Sequence, residues 1–316
     1  MSSTSALPRR ALLVLGMHRS GTSALTRVLS LHGLVLPNLL MKVHPENPKG
    51  FWEAPEIARF NDRLLKRLGT GWDSPTPPDV ETLTGPEREA LVLEALALLE
   101  KLLPDGGDFV LKDPRLCRLL GLWLPALTRF GAAPVGILAV RHPLEVAASL
   151  AARDDMARPL ALRLWLSHLL AAEEATRGLP RQVVHYDDLV RNWRRATRQM
   201  RLALGLPAPD VAAIEAFLEA PLRHAQSYTD TLLRDPTVPA AIKRVYAELR
   251  RAPFESGLDP EPFDRARQDL SALEEAEAHR EPPGSAPLAE QRPWPACSAT
   301  QRAARQGAAS MGKDTA

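Results

Sequence analysis

Cysteine is almost missing from this chain: Cys117 and Cys297 are its two, 180 positions apart, and Cys297 lies in a tail rich in Pro, Ala and Ser. That excludes a disulfide framework and any cysteine-based metal site. Net charge is nearly missing as well. Forty Lys and Arg against 38 Asp and Glu leave +2 at neutral pH, so the molecule as a whole has no field for a polyanion and any anion site must be local. Only seven of the cations are lysine, a bias in keeping with genome composition. Long apolar runs are the third absence. After Arg9 and Arg10 the stretch ALLVLGM stops at His18 and Arg19, too short to span a membrane, and no small-residue cleavage site follows. The expectation is a cytoplasmic chain with no signal peptide and no integral membrane segment.

What the chain does have is length. Its 316 residues suffice for one large domain or two ordinary ones with a substantial core. Residues 11 to 15 form a continuous apolar run that suits a strand buried on both faces, and apolar residues then recur at helical spacing from Ser23 to Leu31. Further short apolar runs, Phe109–Leu111, Pro134–Val140 and Gln182–His185, end in KDPR, RHP and YDDL. Helical patterns fill about 55–68, 86–103, 116–129, 143–152, 159–177, 188–204 and 210–219, with one more at 263–280. Strands separated by helices predict parallel βαβ units, with ligands at the carboxyl ends of the strands. The expected architecture is α/β: a P-loop-type central parallel sheet flanked by helices, spanning 9–255 after a flexible 1–8. A C-terminal extension over 256–316 is expected to be partly helical and then disordered after about 281.

The first strand runs into GMHRSGTSALTRVL. A strand, a glycine loop and a helix gather backbone N–H groups and the positive end of the helix dipole at one spot, which makes an anion site. Gly16 and Gly21 fit the spacing of a triphosphate loop, yet Thr22 stands where that loop has lysine. Ser20, Thr22 and Ser23 add hydroxyl donors, and Arg19 adds a permanent charge able to bridge two oxyanions. The strand ends offer no magnesium-anchoring acid in the usual place: Asp113 sits between Lys112 and Pro114, and Arg141 ends the third run. Cations at both strand ends suit a ligand neutralised by protein rather than metal.

The segment GMHRSGTSALTRVL resembles the 5′-phosphosulfate loop of sulfotransferases that use 3′-phosphoadenosine 5′-phosphosulfate (PAPS). VRHPLEVAASL resembles their 3′-phosphate motif, an arginine followed eight positions later by a helical serine, here Arg141 and Ser149. LKDPR and YDDLV are similar to segments of the bacterial and carbohydrate-type members, and the resemblance covers about residues 11 to 200. It implies that His18, Arg19, Ser20, Gly21, Thr22 and Ser23 hold the 5′-phosphosulfate while Arg141 and Ser149 hold the 3′-phosphate. It also places Arg19 beside the bridging oxygen on which charge builds during transfer. PAPS is then the co-substrate, no metal takes part, and the acceptor is a hydroxyl on a carbohydrate or other small molecule.

The acceptor must lose a proton. Phenol-type members use the histidine of a K-T-H motif, and Lys112-Asp113-Pro114 lacks it. Carbohydrate-type members use a glutamate after the loop helix, and HPENPKGFWE offers His44, Glu46 and Glu53. Glu53 is favoured because Phe51 and Trp52 would desolvate it and raise its pKa; Asp113 is the second choice. Lys112 and Arg115 either reach the reactants or pair with acids. Asp187 and Asp188 read as the start of a helix, and the arginines of RNWRRATRQMR as a solvated helix face rather than a nucleic-acid surface. His224 could reach the donor, although the R-K-G triplet of cytosolic members is absent. Acceptor-binding loops are expected at 37–80, 153–165 and 220–240. Two alternatives stand beside this reading: a degenerate P-loop kinase or NTPase, and a non-catalytic nucleotide-binding scaffold. The sequence leaves the oligomeric state open.

Overall fold

The structure is a computed structural model and describes residues 9–44, 47–103, 106–218, 229–251 and 257–278. Four strands, β1 (Arg9–Leu15), β2 (Phe109–Lys112), β3 (Ala132–Val140) and β4 (Arg181–His185), form one parallel sheet in the order β2-β1-β3-β4. The continuous apolar run of β1 has a simple cause: both faces are covered. Ala11, Leu13 and Leu15 enter one core cluster, and Leu12 and Val14 the other.

β1 pairs with β2, Leu13 opposite Leu111, and on its other side with β3, Val14 opposite Ile137. The chain leaves β1 toward β2 but leaves β3 toward β4, so the connections diverge between β1 and β3. At such a switch point the strand ends open a crevice suited to a ligand.

One sheet face is covered by α1 (Thr22–Ser30), α7 (Tyr186–Arg191), α8 (Trp193–Leu204) and α9 (Val211–Leu218), which supply Leu25, Leu189, Met200 and Ile214 to the core. The other is covered by α2 (Pro55–Arg67), α3 (Gly85–Leu102), α4 (Leu116–Arg129), α5 (Pro143–Asp154) and α6 (Arg158–Ala175). Trp123 and Trp165 lie fully buried on that side. The helices α10 (Thr229–Arg234), α11 (Ala240–Arg251) and α12 (Glu261–Ala278) join the same cluster through Leu232, Val245 and Phe263.

The expected parallel α/β sheet with flanking helices is found, with three differences of detail. The single helix expected at 188–204 is two, divided at Asn192, which has left helical geometry (φ −140°, ψ 53°). Asp187 and Asp188 are first-turn acids of α7, where they face the positive end of the helix. α10 and α11 lie where no helix was expected, α10 within the acceptor-binding loop expected at 220–240. The compact unit runs to Glu275, beyond the boundary expected at 255, because Phe263 and Ala266 of α12 are fully buried and Arg267 pairs with Glu173 of α6 at 2.8 Å. Glu46, His224, Cys297 and the tail after 281 lie outside the described residues.

Candidate functional site

Residues 16–21 turn β1 into α1, and two glycines make the turn possible. A Cβ on Gly16 would lie 2.5 Å from the Ala139 carbonyl oxygen of β3, and one on Gly21 would lie 2.2 Å from the Tyr186 ring. Gly21 also has φ +82°. Arg19 adopts the left-handed region at φ 69°, a placement that costs a non-glycine residue about 1–2 kcal/mol. The Ser20 amide turns inward to the Met17 carbonyl at 3.1 Å, so it is a turn-closing donor. Thr22 is buried in the first turn of α1.

Across the crevice the two segments singled out in the sequence meet. The Arg19 Nε donates to Ser149 Oγ at 2.8 Å, and the Arg141 Nη1 donates to the Arg19 carbonyl at 3.0 Å. Arg141 follows β3 directly. Its Nε donates to Glu145 at 3.0 Å, its guanidinium lies 4.9 Å from the Tyr186 ring centre, and its carbonyl accepts from the Trp165 indole at 3.0 Å. His142 caps α5, its Nδ1 accepting from the Leu144 amide at 3.3 Å. Tyr186 thus touches both the glycine loop and Arg141. Its sequence signal, an aromatic at a strand end ahead of two acids, was read only for the acids.

A second group gathers at the end of β2. The Lys112 Nζ donates to Ser23 Oγ at 3.1 Å, to the Phe51 carbonyl at 3.0 Å and to the Glu53 carboxylate. Ser23 Oγ also donates to the Phe51 carbonyl at 3.1 Å, and Asn47 Nδ2 holds the Gly50 carbonyl at 2.8 Å. Trp52, between Phe51 and Glu53, has φ 59°, an unfavourable conformation for so bulky a residue. Glu53 is 3% exposed. Burial pushes its carboxyl above the ordinary range, the Lys112 ammonium opposes the shift, and the Asp113 charge adds to it. Asp113 accepts from the Arg115 amide at 2.8 Å and from the Arg115 guanidinium at 3.2 Å. Arg115 also forks onto Asp62, so Lys112 reaches the glycine loop while Arg115 is paired with acids.

His18 faces a third direction. It is 5% exposed, its ring centre lies 4.4 Å from that of Trp72, and its Nε2 has no hydrogen-bond partner. Burial first, then the charges of Arg153 and Arg115, hold its pKa well below the ordinary value, so the ring is neutral. Trp72 is carried by a loop that Arg118 pins, donating to the Gly71 carbonyl at 2.9 Å and the Thr76 carbonyl at 2.7 Å. Sequence reasoning named neither Arg153 nor Arg118, because spacing alone does not show which side chains of separate helices converge.

Among the described residues no group of three or more His, Cys, Asp or Glu could hold a metal ion, and no helix is long and apolar enough to cross a membrane. A surface groove between α2 and α3, lined by Phe60, Arg63, Arg67 and Glu94, includes none of the residues above.

The sequence profile of the sulfotransferase family matches residues 11–210, which span both motifs. No curated protein matches the chain. Among solved structures, the sulfotransferase domain from the Synechococcus PCC 7002 olefin synthase is similar at 20% identity over 89% of this chain and 99% of that one, with a TM-score of 0.40. The sulfotransferase domain from the curacin biosynthetic pathway is similar at 17% identity over 84% and 99%, with a TM-score of 0.42.

Proposed function

Because the chain belongs to the sulfotransferase family, and is therefore a transferase, we propose that it transfers a sulfuryl group from PAPS to a carbohydrate hydroxyl. One observation carries the reading. The glycine loop after β1 and the Arg141–Ser149 segment after β3 meet at the switch point of the sheet, joined by Arg19 to Ser149 at 2.8 Å and Arg141 to the Arg19 carbonyl at 3.0 Å. A donor with phosphate groups at both the 3′ and 5′ positions of a ribose needs two cationic points, which Arg19 and Arg141 supply side by side.

In this reading the loop amides beyond Ser20 and the Arg19, Thr22 and Ser23 side chains hold the 5′ anions, and Arg141 with Ser149 holds the 3′-phosphate. PAPS, when bound, supplies the transferable sulfuryl group. Arg19 stabilises negative charge on the departing oxygen, an electrostatic role worth about 3–4 kcal/mol for one well-placed donor. Lys112 ties Ser23 to Glu53 and so fixes the spacing between the donor loop and the base. Glu53 takes the acceptor proton. Its raised pKa suits a base working near neutrality. Asp113, already engaged by Arg115, is the weaker candidate.

Calorimetry with 3′,5′-ADP and ATP tests the donor assignment. Tight binding of 3′,5′-ADP without magnesium is expected; equal affinity for both nucleotides, or a magnesium-dependent preference for ATP, overturns it.

A further inference from the structure

Arg153 stands one helical turn beyond Ser149 on α5, at the i, i+4 position that shares its face. Since Ser149 accepts from Arg19, Arg153 is directed to the rim of the same crevice. Its guanidinium lies 5.5 Å from the Trp72 ring centre, within range of cation–π attraction. The indole also lies against His18, a loop residue whose buried Nε2 has no partner. A side chain 95% out of solvent with an unmet polar atom is a site waiting for a polar group. Arg118, behind the Trp72 loop, makes its described bonds to carbonyls and a hydroxyl, with no carboxylate among them.

What Arg153 does hold is its own neighbour. Its Nε lies 2.9 and 2.8 Å from the two Asp154 oxygens, and its Nη2 lies 2.6 Å from one of them. Adjacent residues of a helix point about 100° apart and are not natural partners. The pair sits at the end of α5, where Asp154 is the last helical residue ahead of the left-handed Asp155. The Arg153 side chain is 11% exposed and that of Asp154 is 29% exposed. A semi-buried guanidinium is therefore satisfied by a local, more exposed carboxylate that an incoming oxyanion can replace.

We propose that the acceptor is anionic: a sugar hydroxyl compound bearing a carboxylate or phosphate, whose oxyanion takes the place of Asp154 on Arg153 while its adjoining hydroxyl group reaches the His18 Nε2. This rests on the sulfotransferase reading and narrows its acceptor class. Trp72 acts as a positioning residue, holding Arg153 against the crevice and shielding the contact from water, where charge-assisted bonds are strengthened.

The test uses three probes sharing one ring and aglycone: 4-nitrophenyl β-glucuronide, 4-nitrophenyl β-glucoside and 4-nitrophenyl β-glucoside 6-phosphate. Transfer of labelled sulfate is measured alongside saturation-transfer NMR of each probe on the full chain with 3′,5′-ADP. A preference of about tenfold or more for a charged probe is expected, equivalent to about 1.4 kcal/mol, and which one wins separates carboxylate from phosphate. Arg153→Gln should bring the charged probes down to the level of the neutral one. Asp154→Asn should strengthen the charged probes, a gain that damaged folding would not produce. Equal use of all three probes, no preference for a charged probe in either readout, or a charged-probe loss in Asp154→Asn overturns the proposal. Failure of the underlying reading looks different: 3′,5′-ADP then shows no preference over ATP, or the wild-type chain transfers no labelled sulfate to any of the three probes.

Discussion

Two strand ends, a few residues apart in the sheet, handle charge in opposite ways. At the β1–β3 crevice Arg141 donates to Glu145 and to the Arg19 carbonyl and lies over the Tyr186 ring, while Arg19 donates to the Ser149 hydroxyl. At the end of β2, Lys112 and Arg115 accompany three carboxylates, Glu53, Asp113 and Asp62. The contrast separates two tasks. The crevice offers guanidinium groups to an anion, whereas at the end of β2 burial raises the proton affinity of Glu53, with Asp113 adding to the rise and Lys112 and Arg115 opposing it. Ser23 joins them, since it belongs to the donor loop and accepts from Lys112.

The largest effect is expected from unbalancing the β2 end. Lys112 and Glu53 are 4% and 3% exposed, and removing one member of a buried pair typically costs about 3–5 kcal/mol. Lys112→Met should lower stability toward the bottom of that range, because Glu53 with its raised pKa can take up a proton. Chemical denaturation at neutral pH measures this. The double variant Lys112→Met/Glu53→Gln should recover half of the loss or more; no recovery would show that Lys112 stabilises through Ser23 and Phe51 instead.

Next come the two arginines of the crevice, whose variants should fail differently. Arg19→Ala is expected to lower kcat by about 10²–10³-fold, the range for one transition-state donor, with less than about tenfold change in 3′,5′-ADP affinity (~1.4 kcal/mol). Arg141→Ala is expected to do the reverse, raising the Kd for 3′,5′-ADP by about 10–100-fold, since a bond to a charged group contributes about 1.5–3 kcal/mol. Calorimetry and turnover on both variants decide it; parallel losses in both quantities would mean that the two arginines act as one unit.

Much of this was legible in the sequence for identifiable reasons. Apolar runs betray strands covered on both faces, so β1 to β4 were found at Leu12, Val110, Ile137 and Val183. The loop was singled out because glycines and hydroxyls between a buried strand and a helix make an anion site, and Arg141 with Ser149 because their segment resembles the 3′-phosphate motif of PAPS-dependent sulfotransferases. Missed were features made by convergence. Tyr186 clamps Gly21 and Arg141 from 45 or more positions away along the chain; Arg118 pins a loop over 40 residues distant. The α11 helix was missed although Ala241, Ile242, Val245, Tyr246 and Leu249 recur at helical spacing, because no strand followed to frame it. The pairing of Lys112 with Glu53 was invisible because it depends on how residues 47–53 fold back over Ser23.

The charge contrast also requires the nearby histidines to be neutral, and this gives the smallest effect. His185, whose Nε2 lies 2.8 Å from the Leu249 carbonyl, is pushed down to about 4 by burial and then by Arg250. His168 is pushed to about 3 by burial and then by Arg118. Unfolded, each binds a proton near 6.5. As pH falls below that value the unfolded chain gains protons that the folded one does not. The stability contributed is therefore complete above about pH 6.5 and declines toward about pH 4, by up to about 1.4 kcal/mol per pH unit for each ring. Glu53, with its raised pKa, has the opposite sign and offsets part of the slope. Urea unfolding from about pH 7 to about pH 4.5 should show the decline, and His185→Gln, which keeps a donor for the Leu249 carbonyl but cannot charge, should flatten it. An unchanged slope in that variant would mean that His185 is already protonated when folded, placing a cation behind Tyr186.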